Sequence, residues 1–103
     1  MFTPRYQNEQ TDRLVSALLS LETQEEAYRF LEDVLTIQEM KSITQRLEVA
    51  VMLTQKETYQ EIVRKTGAST TTIGRVNRSL QYGADGYELV LNRLKDVQDA
   101  QQK

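Results

Sequence analysis

Three Thr-x-x-Glu tetrads divide this chain: Thr23 to Glu26, Thr36 to Glu39 and Thr58 to Glu61. Each stands just ahead of a stretch whose apolar residues recur at helical spacing. In such a tetrad the threonine hydroxyl accepts from a free first-turn N–H, and the glutamate reaches back toward the cap. Ser69, which follows Gly67 and Ala68, is a fourth N-cap of the same kind. No alternating strand pattern of useful length lies between these starts. The expectation is an all-α fold of about six helices, over 8–20, 24–35, 37–54, 59–65, 70–81 and 85–98.

The apolar faces of these helices say what they need to touch. The first carries Leu14, Val15, Leu18, Leu19 and Leu21, and the second Ala27, Phe30, Leu31, Val34 and Leu35. The third has a stripe of Met40, Ile43, Leu47 and Ala50, which Val49, Val51, Met52 and Leu53 then widen almost all round. A helix apolar on several faces must be covered on several faces, and the other helices are short. We therefore expect a homodimer in which the first three helices pack across subunits, with 8–54 as dimerisation helices in a single domain over 1–103. The last helix is amphipathic through Tyr87, Val90, Leu91, Leu94 and Val97, and 99–103 should fray.

Composition narrows the chemistry. At 103 residues there is room for one domain. There are no cysteines and no histidines, which removes thiolate chemistry, the commonest general base and the commonest metal ligand. Carboxylate groups remain at Glu22, Glu25 and Glu26 and at Glu32 and Asp33. Acids in early helical turns are capping and solubilising groups far more often than ligands. The expectation is no enzyme, no metal and no cofactor. The longest apolar run, Val49 to Leu53, is far short of the ~20 residues that span a bilayer. No secretory signal opens the chain, so a cytoplasmic protein without a membrane partner is expected.

Net charge is −2, but it is unevenly spread. Residues 54–82 hold Lys56, Arg64, Lys65, Arg75 and Arg78 against Glu57 and Glu61, while both flanking segments are acidic. Salt screens the distant acids over a Debye length of ~8–10 Å, so a local surface for a polyanion survives. Within it, residues 58–81 read as a helix-turn-helix. Gly67 supplies the left-handed conformation of the turn. Ile62 and Val63 face inward on the first helix, and Ile73, Val76 and Leu80 on the second.

The second helix begins Ser69, Thr70, Thr71, Thr72, short polar residues that favour helix entrances and suit base edges and phosphates. The helix N-terminus adds positive partial charge there. Candidate DNA-binding residues are therefore Gln60, Arg64, Lys65, Ser69, Thr70, Thr71, Thr72, Arg75 and Arg78. The expected partner is double-stranded DNA, and the expected role is that of a sequence-specific transcriptional regulator acting as a repressor. The alternative is a dimeric interaction module that keeps the helix-turn-helix as scaffold without specific DNA binding; the acidic flanks favour it.

The segment Gly67-Ala68-x-x-x-Thr72-Ile73-x-Arg75-x-x-x-Ser79-Leu80 resembles the DNA-reading part of the bacterial tryptophan repressor family. Leu35-Thr36-x-x-Glu39, followed by Arg46, resembles the start of that family's third helix, with one gap needed near residue 57. The resemblance covers about 25–97 and is nearest to the Trp-repressor-like YerC/YecD type. It implies an all-helical, intertwined homodimer with two helix-turn-helix heads reading a palindromic operator. It also implies an effector site, in which Arg46 and Arg75 would sandwich an indole and Thr36 and Ser79 would hold the amino-acid end. The family's glycine after the reading-helix arginine is Val76 here. A branched side chain in that slot costs ~1–3 kcal/mol or forces rearrangement. The expectation is that tryptophan is not a co-repressor, and the effector stays unassigned.

Overall fold

The computed structural model describes the backbone of residues 1–102 and the side chains of residues 1–95. Among these residues there are six helices: α1 (Glu9–Leu19), α2 (Gln24–Val34), α3 (Ile37–Thr54), α4 (Tyr59–Thr66), α5 (Thr70–Tyr82) and α6 (Gly86–Gln102). The first five agree with the expected spans to within a residue at each end. The sixth runs past the expected end at 98. Lys103, the last residue expected to fray, and the side chain of Val97 lie outside the described residues.

The chain divides into two compact units, residues 1–41 and 42–103, the division falling within α3. In the first unit, α1 is capped by a feature the tetrad rule misses. Asn8 Oδ1 accepts from the Thr11 N–H at 2.9 Å, and the Asn8 N–H donates to Thr11 Oγ1 at 2.8 Å. Asn and Thr here do the work of Thr and Glu. At α2 the Glu26 N–H donates to Thr23 Oγ1 at 3.1 Å, but the Glu26 carboxylate accepts from the Glu22 N–H instead of Thr23's. The Thr36 box is complete, with Thr36 N–H to Glu39 Oε1 at 2.8 Å and Glu39 N–H to Thr36 Oγ1 at 3.1 Å.

No side chain of residues 1–41 is buried. Leu14, Val15, Leu18 and Leu19 of α1 are between 45% and 81% exposed. These are the same residues that make its apolar face. The unit has an amphipathic design and no core of its own.

Every buried side chain lies in the second unit. Val49 and Ala50 of α3, Ile62 of α4, Ala68 of the turn, and Ile73 and Val76 of α5 form one cluster. Met52, Leu53, Leu80, Tyr87 and Leu91 pack around it. Fully burying a side chain such as Ile62 or Ile73 contributes ~1.5–3 kcal/mol each, so this small cluster is what holds α3, α4 and α5 together. Val63, expected inward beside Ile62, is instead at the surface with 36% exposure. One residue along an α-helix is a rotation of about 100°, and Ala68 takes the place beside Ile62 in the core. Ile43, Val90 and Leu94, expected on apolar stripes, are also exposed.

Among the described residues, three between helices lie in the left-handed region: Lys56, Gly67 and, just ahead of α6, Asp85 with φ 63°. Gly67 has φ 74° and ψ 4° and donates its N–H to the Val63 carbonyl at 2.9 Å, ending α4. Lys56 has φ 63° and turns α3 into α4 without a glycine. Glu57 N–H then reaches back to the Met52 carbonyl at 3.1 Å. Among the described residues no helix is long and apolar enough to cross a membrane.

Candidate nucleic-acid interface and the adjoining cleft

The candidate reading surface is built on α4, the turn 67–69 and α5. Thr58 caps α4 by accepting from the Glu61 N–H at 3.2 Å. The other half of this box is diverted: the Glu61 carboxylate pairs with Arg64, Nη2 to Oε2 at 2.7 Å. The hydrogen bond from Arg64 and then its charge hold the Glu61 carboxyl below the usual carboxylate range, and Glu61 raises the Arg64 guanidinium in turn. Lys65 Nζ is 2.5 Å from Glu57 Oε1. Gln60 is exposed beside them.

The turn is fastened twice. The Thr66 hydroxyl donates to the Ile62 carbonyl at 2.7 Å and accepts from the Ala68 N–H at 3.1 Å. From α3, Gln45 Nε2 donates to the Thr66 carbonyl at 3.2 Å. Ile62, Ala68 and Ile73 lie beneath, so the angle between α4 and α5 is set by the core and by hydrogen bonds together.

The four residues at the start of α5 divide into two pairs. The Ser69 hydroxyl accepts from the Thr72 N–H and donates to the Thr72 hydroxyl, both at 3.1 Å. Ser69 and Thr72 are thus spent on the cap. Thr70 and Thr71 are exposed, and their hydroxyls have no partner among the described residues. Arg75 and Arg78 are exposed and likewise have no hydrogen-bond or ion-pair partner among them. Free hydroxyls on the first helical turn, followed by free guanidinium groups one and two turns later, can engage base edges and phosphates together.

Beside this surface lies an open cleft of about 360 Å³. α3 lines it with Ser42, Gln45 and Arg46, α5 with Thr72, Arg75, Val76 and Ser79, and α6 with Tyr87. Arg46 leans on Ser42, with Nη2 to Oγ at 3.4 Å and Nε to the carbonyl at 3.5 Å. The lining has two guanidinium groups and no carboxylate, so it favours anionic or carboxylate-bearing molecules. Arg46, Arg75 and Ser79, three of the four residues the resemblance points to, share this cleft. Thr36 is not in its lining; its hydroxyl and N–H are engaged by Glu39. Val76 is 2% exposed and belongs to the core cluster, so its side chain is fixed at the cleft wall. Ser42 and Gln45 carry no mark of the cleft in the sequence, and Tyr87 reads there only as part of the apolar face of α6; a contact between α3 and residues 21 or more positions away leaves no local signal. Among the described residues no three His, Cys, Asp or Glu side chains are grouped to hold a metal ion.

Comparisons with known proteins agree on one family. The sequence pattern of the Trp repressor protein family matches residues 9–95. The uncharacterized protein YerC of Bacillus subtilis (strain 168) is 48% identical over 94 residues, 91% of this chain and 90% of YerC. Two crystal structures superpose closely. A TrpR-like protein from Eubacterium eligens ATCC 27750 is 55% identical with a TM-score of 0.82, covering 85% of this chain and 91% of that one. A candidate Trp repressor from Staphylococcus aureus is 46% identical with a TM-score of 0.83, covering 86% and 89%. The family is one of DNA-binding regulators and not of enzymes. With six helices, a helix-turn-helix at 59–82 and these relatives, the chain belongs to the Trp repressor family.

Proposed function

We propose that this protein is a sequence-specific transcriptional regulator that binds a palindromic operator as a homodimer and represses transcription from it in the cytoplasm. The observation that carries this reading is the composition of the α5 surface. Thr70 and Thr71 offer unoccupied hydroxyls at the helix start, and Arg75 and Arg78 offer unoccupied guanidinium groups behind them. Gln60, Arg64 and Lys65 on α4 and the cap residues Ser69 and Thr72 complete the DNA-facing set. Dimerisation is supported by residues 1–41, none of whose side chains is buried although α1 carries an apolar face. Dimeric helix-turn-helix proteins place their heads about 34 Å apart, one DNA turn.

Selection from a random duplex pool tests the reading. The expected product is an inverted repeat whose half-sites are one helical turn apart; recovery of no sequence preference would reject specific regulation and favour the interaction module. Sedimentation at micromolar concentration should show a dimer, and a folded monomer there would remove the symmetric operator. The cleft between Arg46 and Arg75 is the effector position in this reading, with Ser79 lining it and Thr36 outside it; Val76 takes the room that an indole would need.

A further inference from the structure

Two carboxylates sit inside the otherwise basic segment, and both are occupied. Glu61 holds Arg64 at 2.7 Å, and Glu57 holds Lys65 at 2.5 Å across the entry to α4. The second pair is the more sheltered, with side chains 39% and 23% exposed. Arg75 and Arg78 have no such partner among the described residues. The four cations of the candidate interface are therefore of two kinds: two free, two already neutralised.

A carboxylate and a phosphate oxygen compete for the same N–H donors. A cation paired with a carboxylate keeps spare N–H donors, but its charge toward a phosphate is largely cancelled and one donor is engaged, so it adds less to affinity than a free one. Sequence-independent binding comes essentially from phosphate contacts. The hydroxyls of Thr70 and Thr71 do not depend on either ion pair. Withdrawing Arg64 and Lys65 from phosphate thus weakens indiscriminate binding most and leaves base reading intact.

We propose that Glu57 and Glu61 are specificity-determining residues of the DNA-binding surface, which restrain sequence-independent binding by holding Lys65 and Arg64 away from the phosphate backbone. This rests on the DNA-binding reading above. The acids lie within the very segment whose excess positive charge suggests DNA, so their effect is opposite to that of the segment as a whole.

The test is fluorescence anisotropy of the full chain on a random-sequence duplex and on a duplex from the selection, each over a salt series. Variants are Glu57→Gln, Glu61→Gln, the double substitution Glu61→Gln with Arg64→Gln, and Glu48→Gln as a control. Glu48 is an exposed acid on α3 with no ion-pair partner among the described residues. Thermal melting confirms that each variant is folded, and the two single substitutions are independent of one another. Glu57→Gln and Glu61→Gln should each tighten random-duplex binding about two- to fivefold, the range an exposed ion pair sets. They should steepen the log-log salt slope by up to about 0.9 per subunit and narrow the ratio of selected to random affinity. The gain should vanish in the double substitution and be absent in Glu48→Gln. Equal gain in Glu48→Gln, gain surviving Arg64→Gln, or no gain at all overturns the proposal. Arg78→Gln separates the two levels. If it lowers the wild-type slope while the glutamate variants change nothing, only this inference fails. If neither wild type nor the glutamate variants bind duplex, both readings fall.

Discussion

Gln45 on α3 donates its side-chain amide to the carbonyl of Thr66, the last residue of α4, at 3.2 Å. The same Gln45 lines the cleft between Arg46 and Arg75. One side chain therefore touches both the turn that sets the reading helix and the space where a small molecule would sit.

Gln45→Leu keeps the packing volume but leaves a partly buried carbonyl without its partner. The expected loss is about 0.5–1.5 kcal/mol of stability, measured by urea unfolding. Discrimination between operator and random duplex should fall as well, because the angle of α5 loosens. Unchanged discrimination in a destabilised variant would confine Gln45 to a packing role.

The start of α5 should separate into cap and reader. Ser69→Ala should cost about 1 kcal/mol of stability, as loss of an N-cap does, with a smaller effect on site preference. Thr70→Ala and Thr71→Ala should leave unfolding nearly unchanged and flatten discrimination by ~1–3 kcal/mol for a good base contact. Competition binding against single-base operator variants measures this. The reverse pattern would move the reading residues elsewhere on the helix.

Tryptophan should not bind the wild-type chain. Val76 is anchored in the core with Val49, Ile62 and Ile73, so it cannot swing aside for a ring. A ligand shifts a DNA-binding equilibrium only by its differential affinity for the competent state. Calorimetry with tryptophan on wild type and on Val76→Gly decides the matter, provided that the variant is still folded. The glycine should cost about 2–4 kcal/mol of stability through the lost side chain and the added helix flexibility. Binding gained only by the variant would show that this one side chain closes the site; tight binding to wild type refutes the expectation.

Acid should weaken the α3 entrance. The Thr36 N–H, and secondly its hydroxyl, hold the Glu39 carboxyl below its ordinary value of 4.5. A depressed folded-state value means that the contribution is present above the unfolded value and is lost as pH falls through the folded one. Unfolding midpoints should therefore be steady near neutrality and decline below about pH 4.5. Glu39→Gln should have a lower midpoint at pH 7 and a shallower decline in acid. An identical acid decline in the variant would place the dependence on other carboxylates.

Much of this was readable because the helix starts are local. Thr23, Thr36, Thr58 and Ser69 each accept from a backbone N–H three residues on, as their spacing implies. What could not be read is where a glutamate goes once a better partner is near. Glu61 leaves the capping box because Arg64 is one turn away, and Glu26 prefers the Glu22 N–H. Lys56 in a left-handed turn carries no sequence mark, since glycine is the residue that announces such a backbone. Val63 and Ile62 are adjacent on α4, about 100° apart around the helix, so only Ile62 is buried in the core although both are apolar. Contacts across many residues, such as Gln45 to Thr66, leave no pattern in either segment.

Residues 1–41 contain no buried side chain, whereas the six buried residues among those described all lie in 42–103. Amide protons in α1 and α2 consequently have little within the chain to slow their exchange with solvent, while those at the end of α3 and in α4 and α5 are sheltered by the cluster. In the dimer we propose, protection of the first two helices is conferred by another copy and so scales with protomer concentration. Dilution would strip it from α1 and α2 first and leave the helix-turn-helix protected, which makes the amino-terminal helices a gauge of how much of this protein is present.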